Sequence, residues 1–415
     1  MRFVVLTQYY PPEIGAPQVR LPALAKELVA LGHDVEIVTA MPNYPTGRIA
    51  DGYRSKWAMC ESIDGISVRR VWMYASLGRG WKRLVGYVSF TFGAGLVLMR
   101  TRRADWVFVE SPPLILAVPG LLWAALHRSR SIVNVADLWP DAIVDVGAFA
   151  EDSVVTKVLR RLERWTYRRA TVVNSVTEQI SVDLGRRCDP AKVRFLPNGV
   201  DTEMFRPDAG VSDTIDSLGL PSSKLFVYTG NIGISQGLDQ VLVAMQRVGL
   251  RDPEIVLALI GDGSARAALE AQVERDGLRN VVFVDPVPLR TVSEILPCAT
   301  GAIVSLADLP TNRGARPSKM FPAMASATPV VFAGLSEGAR LLEEAGAGLV
   351  APIDDADAIA DAIIRLVEDD ALGKRLGQSG REFVVANYSW GAIVNSWAAS
   401  LDSLTAGDAC SRSPA

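Results

Sequence analysis

Residues 225–245 read LFVYTGNIGISQGLDQVLVAM. Leu225-Phe226-Val227-Tyr228 is an apolar run rich in β formers and predicts a buried strand. Thr229 to Gly237 follows, with glycine at 230, 233 and 237. Glycine lets backbone approach a ligand closely and adopt positive φ. Leu238, Leu242 and Met245, with Val241 beside them, then recur at helical spacing. Strand, glycine loop and helix is how α/β proteins turn free N–H groups toward a phosphate. A glycine turn that merely connects two elements has the same local pattern. The unit opens a second α/β half, so its loop is expected to face the first half across a cleft.

A chain of 415 residues exceeds one ordinary core, which predicts two domains. At 49% hydrophobic and 21% charged residues the composition is globular. A net charge of -3 argues against nucleic acid as a partner. The first 200 residues carry an excess of cations and the rest an excess of acids. Such a split suits an anionic membrane surface on one lobe, and solvated helix faces produce it as well. Cys60, Cys188, Cys298 and Cys410 are scattered, and His33 and His127 are the only histidines. That set excludes the usual zinc motifs and predicts a reducing compartment. Met1-Arg2 runs directly into the strand-like Phe3-Val4-Val5-Leu6, so no secretory signal peptide is expected.

Residues 3–7, a helix over Val19–Leu31 and a strand over Asp34–Thr39 make a βαβ opening. The loop QYYPPEIGAPQ, residues 8–18, sits at its first strand-to-helix turn. A long polar loop is expected after Met41-Pro42-Asn43-Tyr44-Pro45, and a strand at Ile66–Trp72. Gly80 to Arg103 reads GWKRLVGYVSFTFGAGLVLMRTRR, with cations at both ends and none from Leu84 to Met99. A bilayer span needs about 20 apolar residues, so this run is short for one. It fits a helix lying among lipid headgroups or a helix buried in a core. A second apolar run, Pro112 to Leu126, follows the strand Trp106–Val109. Ser131–Val135 predicts a strand leading into Ala136-Asp137-Leu138-Trp139-Pro140-Asp141. A carboxylate just past a strand's C-terminal end is where α/β sheets hold ligands, and Asp137 equally suits a helix cap. Val154–Arg169 predicts a very basic helix.

Residues 202–223 read as a linker. Beyond the opening stretch, strands are expected at Ile255–Ile260, Val281–Val284 and Ala302–Leu306, with last strands at Pro329–Phe332 and Leu349–Val350. Gly261-Asp262-Gly263-Ser264 and Asp285-Pro286-Val287-Pro288 follow the first two of these. Arg313 to Ser318, RGARPS, is a basic glycine loop running into Lys319. Domains are expected at 1–205 and 206–390, with a helix over 391–404 crossing back to the first domain and a disordered tail at 405–415.

The order of these pieces resembles the retaining GT-B glycosyltransferases of family 4, the group 1 type. Within them it resembles the branch typified by fucosamine transferases, which builds bacterial surface polysaccharides. The resemblance rests on TQYYPPEIGAPQVRL, MPNYPTG, ESPPL, ADLWPD, LPNGVDTEMFRP, GNIGISQGLD, IGDGSAR, RGARPSK and EEAGAGLVAP, which span almost the whole chain. It implies an α/β GT-B fold, two Rossmann-like domains facing across a cleft, the second holding a nucleotide-sugar donor and the first an acceptor. It implies backbone donors from Gly230, Asn231 and Gly233, with Gln236 in the same loop, and cations Arg313 and Lys319 with Ser318 from a second loop. Gly15 matches a phosphate-facing glycine, Val287 lies in the segment beside the base, and Asp262 fits a sugar- or ribose-side role. Asp137, Arg313 and Lys319 are the expected catalytic residues. Pre-aimed N–H groups and cations stabilise a leaving diphosphate without a metal, so no cofactor and no metal are expected. The expected acceptor is a saccharide or a polyprenyl-diphosphate-linked sugar, and the expected location cytoplasmic, peripheral on the inner face of the cell membrane.

Four positions depart from the family pattern. Gly314 and Pro322 stand where two glutamates eight positions apart are common, Ala136 stands where many relatives carry histidine, and Ala327 replaces a glycine. Proline offers no side-chain acceptor for a ribose hydroxyl. Two further readings therefore fit: transfer to a soluble small molecule, or a catalytically silent homologue that only binds. Pro322 and Ala136 favour the second of these.

Overall fold

The computed structural model describes every residue except 14–15, 45, 77–80, 142–143, 145–148 and 411–415. Its contacts divide the chain into two units, Met1–Pro197 with Ile393–Ala415, and Asn198–Ala392.

The first unit holds β1 (Arg2–Leu6), β2 (Asp34–Ala40), β3 (Ala58–Ile63), β4 (Ile66–Val71), β5 (Trp106–Ser111), β6 (Arg130–Val135), β7 (Val172–Ser175) and β8 (Val193–Phe195). They form one sheet in the order β3-β4-β2-β1-β5-β6-β7-β8. Only β3 and β4 pair antiparallel. Every residue of β5 is buried, as a parallel strand covered on both faces requires. The order reverses between β1 and β5, so ligands are expected at the C-terminal ends of these strands.

The edge strand β3 corrects the reading of a long polar loop after Met41. Its AMCESI alternates between half-buried and exposed and carries no apolar run. The signal lay in Asp64-Gly65, which turn with φ of 51° and 79°, as a two-residue hairpin demands.

Three helices follow in a row. Trp81–Leu98 packs on Ala117–His127, which packs on Val154–Arg169. Phe90, Val97, Leu121 and Trp123 join Val107 and Val133 in one core. The helix Trp390–Cys410 runs past Leu404. Its Trp397 meets Phe108 edge-on at 6.0 Å and donates through Nε1 to Asn174 at 3.1 Å.

The second unit holds β9 (Leu225–Thr229), β10 (Val256–Ile260), β11 (Val281–Val284), β12 (Gly301–Ser305), β13 (Val330–Ala333) and β14 (Gly348–Ala351). All pairs are parallel, in the order β11-β10-β9-β12-β13-β14. This is the doubly wound nucleotide-fold order, and it reverses between β9 and β12. Helices Leu238–Arg251 and Ala356–Glu368 pack together, burying Val241, Leu242, Met245, Ile359 and Ile363.

Sequence reading missed the helices Glu337–Glu344 and Asp370–Asn387. The second buries Leu372, Gly377, Gly380 and Val384, so glycine stands at half of its inward positions and the apolar period disappears. A Cβ at Gly377 would overlap the carbonyl oxygen of Ala327. The same helix anchors part of the segment 202–223. Arg381 donates to the carbonyls of Thr202 at 3.1 Å, Phe205 at 2.7 Å and Ala325 at 2.7 Å.

Candidate functional site

The glycine loop that opens the second unit leaves β9 at the point where the strand order reverses. Gly230 takes φ of 118°, a conformation that L side chains rarely adopt. The loops after β9 and β10 are fastened together. Gly230 N–H donates to Ile260, Ile232 N–H to Asp262 and Ala265 N–H to Ile232, at 2.9 to 3.0 Å. A Cβ at Gly261 would overlap the Gly230 carbonyl oxygen, so only glycine permits this approach. Ala307 N–H, just past β12, donates to Ser235 at 3.0 Å. Asn312, which sequence reading passed over, donates through Nδ2 to Ser235 at 3.1 Å and to Ala307 at 2.9 Å.

Lys319 precedes the short helix Met320–Ala325 and extends to the base of this loop. Its ammonium donates to the Tyr228 hydroxyl and to Gln236 Oε1, the latter at 2.9 Å. It lies 3.9 Å from the centre of the Tyr228 ring. The Tyr228 hydroxyl donates to the carbonyl of Asn231 at 2.6 Å. Desolvation is the one cause acting on Lys319, and it brings the amine down to about 7. Burial pushes the Tyr228 hydroxyl up. A lysine so placed gains more from an incoming anion than an exposed one does.

The neighbouring basic loop divides its two arginines between tasks. Arg316 forms a buried ion pair with Glu337 and donates to the Tyr388 hydroxyl at 2.8 Å. Arg313 is exposed, and its carbonyl accepts from Glu337 N–H at 2.9 Å. Ser318 is exposed beside Lys319. Asp262 is exposed, and its carboxylate accepts Gly263 N–H at 2.7 Å. Arg266 bridges to Asp285 past β11 at 2.8 Å and donates to the Gly261 carbonyl at 2.9 Å, which steadies the segment holding half-buried Val287. Asn231, Gly233, Gln236 and Lys319 thus converge with Gly230 on one loop. Arg313, Ser318, Asp262 and Val287 lie on the loops that follow neighbouring strands.

In the first unit Asp137 lies two residues past β6. Gly15 falls outside the described residues. Arg20 and Glu110 form a buried ion pair, 3% and 1% exposed, at the C-terminal end of β5. Asn134 on β6 donates to the other Glu110 oxygen at 2.9 Å. Burial raises the Glu110 carboxyl, while Arg20 and Asn134 act to lower it. Asp137 is itself exposed, yet the protein around it raises its carboxyl by desolvation and Arg20 pulls it back. Glu13 accepts the N–H groups of Asn43 and Tyr44, both at 2.7 Å, tying the first loop to the turn after β2. Arg20, Glu110 and Glu13 were legible only as letters inside quoted motifs, because nothing local marks a residue whose partner lies 90 positions away.

Comparison with known proteins follows the same division. The family profile of the Glycosyl transferase 4-like domain matches residues 15–199, and that of Glycosyl transferases group 1 matches residues 223–369. WcaI of Escherichia coli (strain K12), named as a colanic acid biosynthesis glycosyl transferase, is 29% identical over 295 residues, 68% of this chain and 71% of its own. WbjE of Pseudomonas aeruginosa, named as a glycosyltransferase, is 26% identical over 318 residues, 75% of this chain and 77% of its own. The crystal structure of Anabaena HepE in complex with UDP superimposes with a TM-score of 0.72 at 15% identity, covering 97% of this chain and 100% of that one. With a glycosyl transferase 4-like first half and a group 1 second half, each built on its own largely parallel sheet, the chain belongs to the group 1 glycosyltransferases and has the GT-B fold.

Proposed function

We propose that this glycosyltransferase moves a sugar from a nucleoside-diphosphate sugar to a lipid-linked saccharide with retention of configuration, in cell-surface polysaccharide biosynthesis. The observation that carries the reading is Lys319. Among the described residues its desolvated ammonium has the neutral partners Tyr228 and Gln236, at the base of the glycine loop where the strand order reverses. A diphosphate supplies the missing counter-charge. HepE, of the same fold, is solved with UDP, and the relatives include a protein named for colanic acid biosynthesis.

In this reading the sugar C1–O bond breaks with its electron pair leaving on the diphosphate. Lys319, Arg313, Ser318 and the backbone N–H groups around Gly230, Asn231 and Gly233 stabilise that charge. The acceptor hydroxyl oxygen bonds to C1 from the same face, and its proton passes to the departing phosphate oxygen. Gln236 orients Lys319, Val287 borders the base, and Asp262 is the sugar- or ribose-side group. In the first unit Asp137 is the proposed catalytic carboxylate, with the Arg20–Glu110 pair near it. The chain's own cations neutralise the diphosphate, so the reaction proceeds without a divalent metal. A lipid-linked acceptor sets the place of work at the inner face of the cell membrane.

A thermal-shift screen against UDP-, GDP-, ADP- and TDP-sugars tests the reading. A donor at 100 times its dissociation constant stabilises the fold by about 2.7 kcal/mol. No shift with any of the four, combined with no release of nucleotide from them, would sink it.

A further inference from the structure

Three neighbouring helices that pack in a row in the first unit present an outward face that joins exposed apolar side chains to cations. On the helix Trp81–Leu98 and the residue after it, the solvent side is apolar. Val85, Val88, Phe92, Leu96 and Met99 recur every three or four residues, and Phe92 and Met99 are 65% and 68% exposed. The opposite side of that helix, with Phe90, Ala94 and Val97, fills the core, so the stripe is not a displaced core face. The next helix continues the patch with Leu122 and Leu126, at 58% and 69% exposure. Monomers rarely leave so much contiguous apolar side chain in water.

The third helix in the row supplies charge. Lys157, Arg161, Arg164 and Arg168 are exposed along Val154–Arg169, while its one acid, Glu163, is buried against Arg187. Exposed Lys82, Arg100, Arg102 and Arg103 close the ends of the first helix. Cations therefore flank the apolar stripe, and no acid interrupts the exposed faces of the three helices. No helix among the described residues is long and apolar enough to cross a membrane. An apolar centre rimmed by cations matches a surface whose interior is hydrocarbon and whose headgroups are negative.

We propose that this three-helix face docks the protein onto an anionic bilayer, Phe92 and Leu126 entering the acyl boundary and the arginines of Val154–Arg169 contacting phosphate headgroups. It rests on the proposed place of work and narrows it to a defined surface, and it stands apart from the donor chemistry because none of these residues belongs to the proposed nucleotide site.

Flotation with vesicles tests it. Full-length protein is mixed with vesicles of phosphatidylcholine alone or with phosphatidylglycerol added. Binding is expected only to the anionic vesicles and is expected to weaken with salt. Phe92→Gln with Leu126→Gln, both at exposed positions, abolishes flotation. Arg161→Glu with Arg164→Glu lowers partitioning by roughly 10-fold or more at low salt. Both double variants keep wild-type nucleotide affinity by calorimetry, which separates this proposal from the donor reading. Wild-type protein left in the soluble fraction at low salt overturns it, as does equal binding to neutral vesicles or unchanged flotation of the Phe92 variant. A dimer in sedimentation that Phe92→Gln dissolves, without vesicle binding, assigns the face to a second copy and also overturns it.

Discussion

The Lys319 ammonium sits over the ring of Tyr228, 3.9 Å from its centre, and donates to that tyrosine's own hydroxyl. The two side chains come from residues 91 apart, one near the C-terminal end of β9 and the other just before the helix Met320–Ala325. Tyr228 is inward-facing and fully buried, so the lysine is drawn over a protein surface rather than into water.

That arrangement predicts a pH signature. Folding lowers the Lys319 pKa from 10.5 to about 7. Between these values the unfolded chain holds a proton that the folded chain has released, so this group makes stability rise with pH across the window. A bound diphosphate reverses the shift by restoring the charged form. Affinity for a nucleotide-sugar is therefore flat below about pH 7 and falls as pH rises above it, with proton uptake on binding. Calorimetry in buffers of different ionisation enthalpy measures that uptake, and Lys319→Ala abolishes it. The same substitution removes a charge-assisted contact worth roughly 1.5–3 kcal/mol. Affinity and turnover both unchanged in Lys319→Ala would mean the donor lies elsewhere.

Activity should also be insensitive to chelation. In the proposed mechanism Arg313 and Lys319 provide positive charge where charge develops on the leaving group. Turnover measured with and without EDTA is expected to agree. Loss in EDTA with recovery in magnesium or manganese would refute the proposed neutralisation by cations.

The buried pair Arg20–Glu110 carries a larger stability consequence. Removing one partner leaves an uncompensated charge inside, at a cost of about 3–5 kcal/mol. Arg20→Met should lower the denaturant midpoint strongly, and the double variant Arg20→Met with Glu110→Leu should recover much of the loss. Equal destabilisation in single and double variants would show that the pair's charges are not what matters.

How much of this was visible beforehand varies by element. The stretch 225–245 announced its strand, loop and helix because each used its own period and its own turn residues. β5 was legible from its apolar run Trp106–Val109, and β6 from the β-branched Ile132, Val133 and Val135. The strand Ala58–Ile63 was not, since an edge strand half in water loses the pattern. Nor was Asp370–Asn387, where Gly377 and Gly380 occupy inward positions. At the site, Lys319 and the glycines were legible as motif residues. Tyr228 read only as part of a strand, and its polar use follows from strand register. Arg313 and Arg316 read alike in RGARPS, and only packing against Glu337 and Tyr388 tells anchor from exposed cation.

Ala327 gives a prediction about stability alone. It takes φ of 55°, the left-handed region, at the position where the family pattern has glycine. Cβ makes that region costly by roughly 1–2 kcal/mol for an L residue. Glycine also loses more freedom on folding, by about 0.4–1 kcal/mol, which offsets part of the gain. Ala327→Gly should therefore raise stability by up to about 1.5 kcal/mol, read as a higher denaturant midpoint at unchanged slope. A fall in midpoint would show that the Ala327 methyl contributes packing that exceeds its backbone strain.

Pro322 tests the family pattern against the local fold. It occupies the first turn of Met320–Ala325, where its missing N–H has no helical partner to lose. Its carbonyl accepts Ser326 N–H at 3.0 Å, a bond that any residue would keep. Pro322→Glu therefore leaves the helix start unchanged and adds a carboxylate where the family pattern has an acceptor for the ribose hydroxyls. Lys319 stands three residues earlier in the same turn region, so under the proposed donor site the new carboxylate lies near the nucleotide. Calorimetry should find tighter UDP or GDP binding, by about 1 kcal/mol for one added hydrogen bond. A thermal scan of the same variant shows whether the fold is intact. Unchanged or weaker affinity in a folded Pro322→Glu protein would mean that another group already serves the ribose. In that case the proline is not a deficiency of this site, and the donor is held by a set of contacts that the family pattern does not describe.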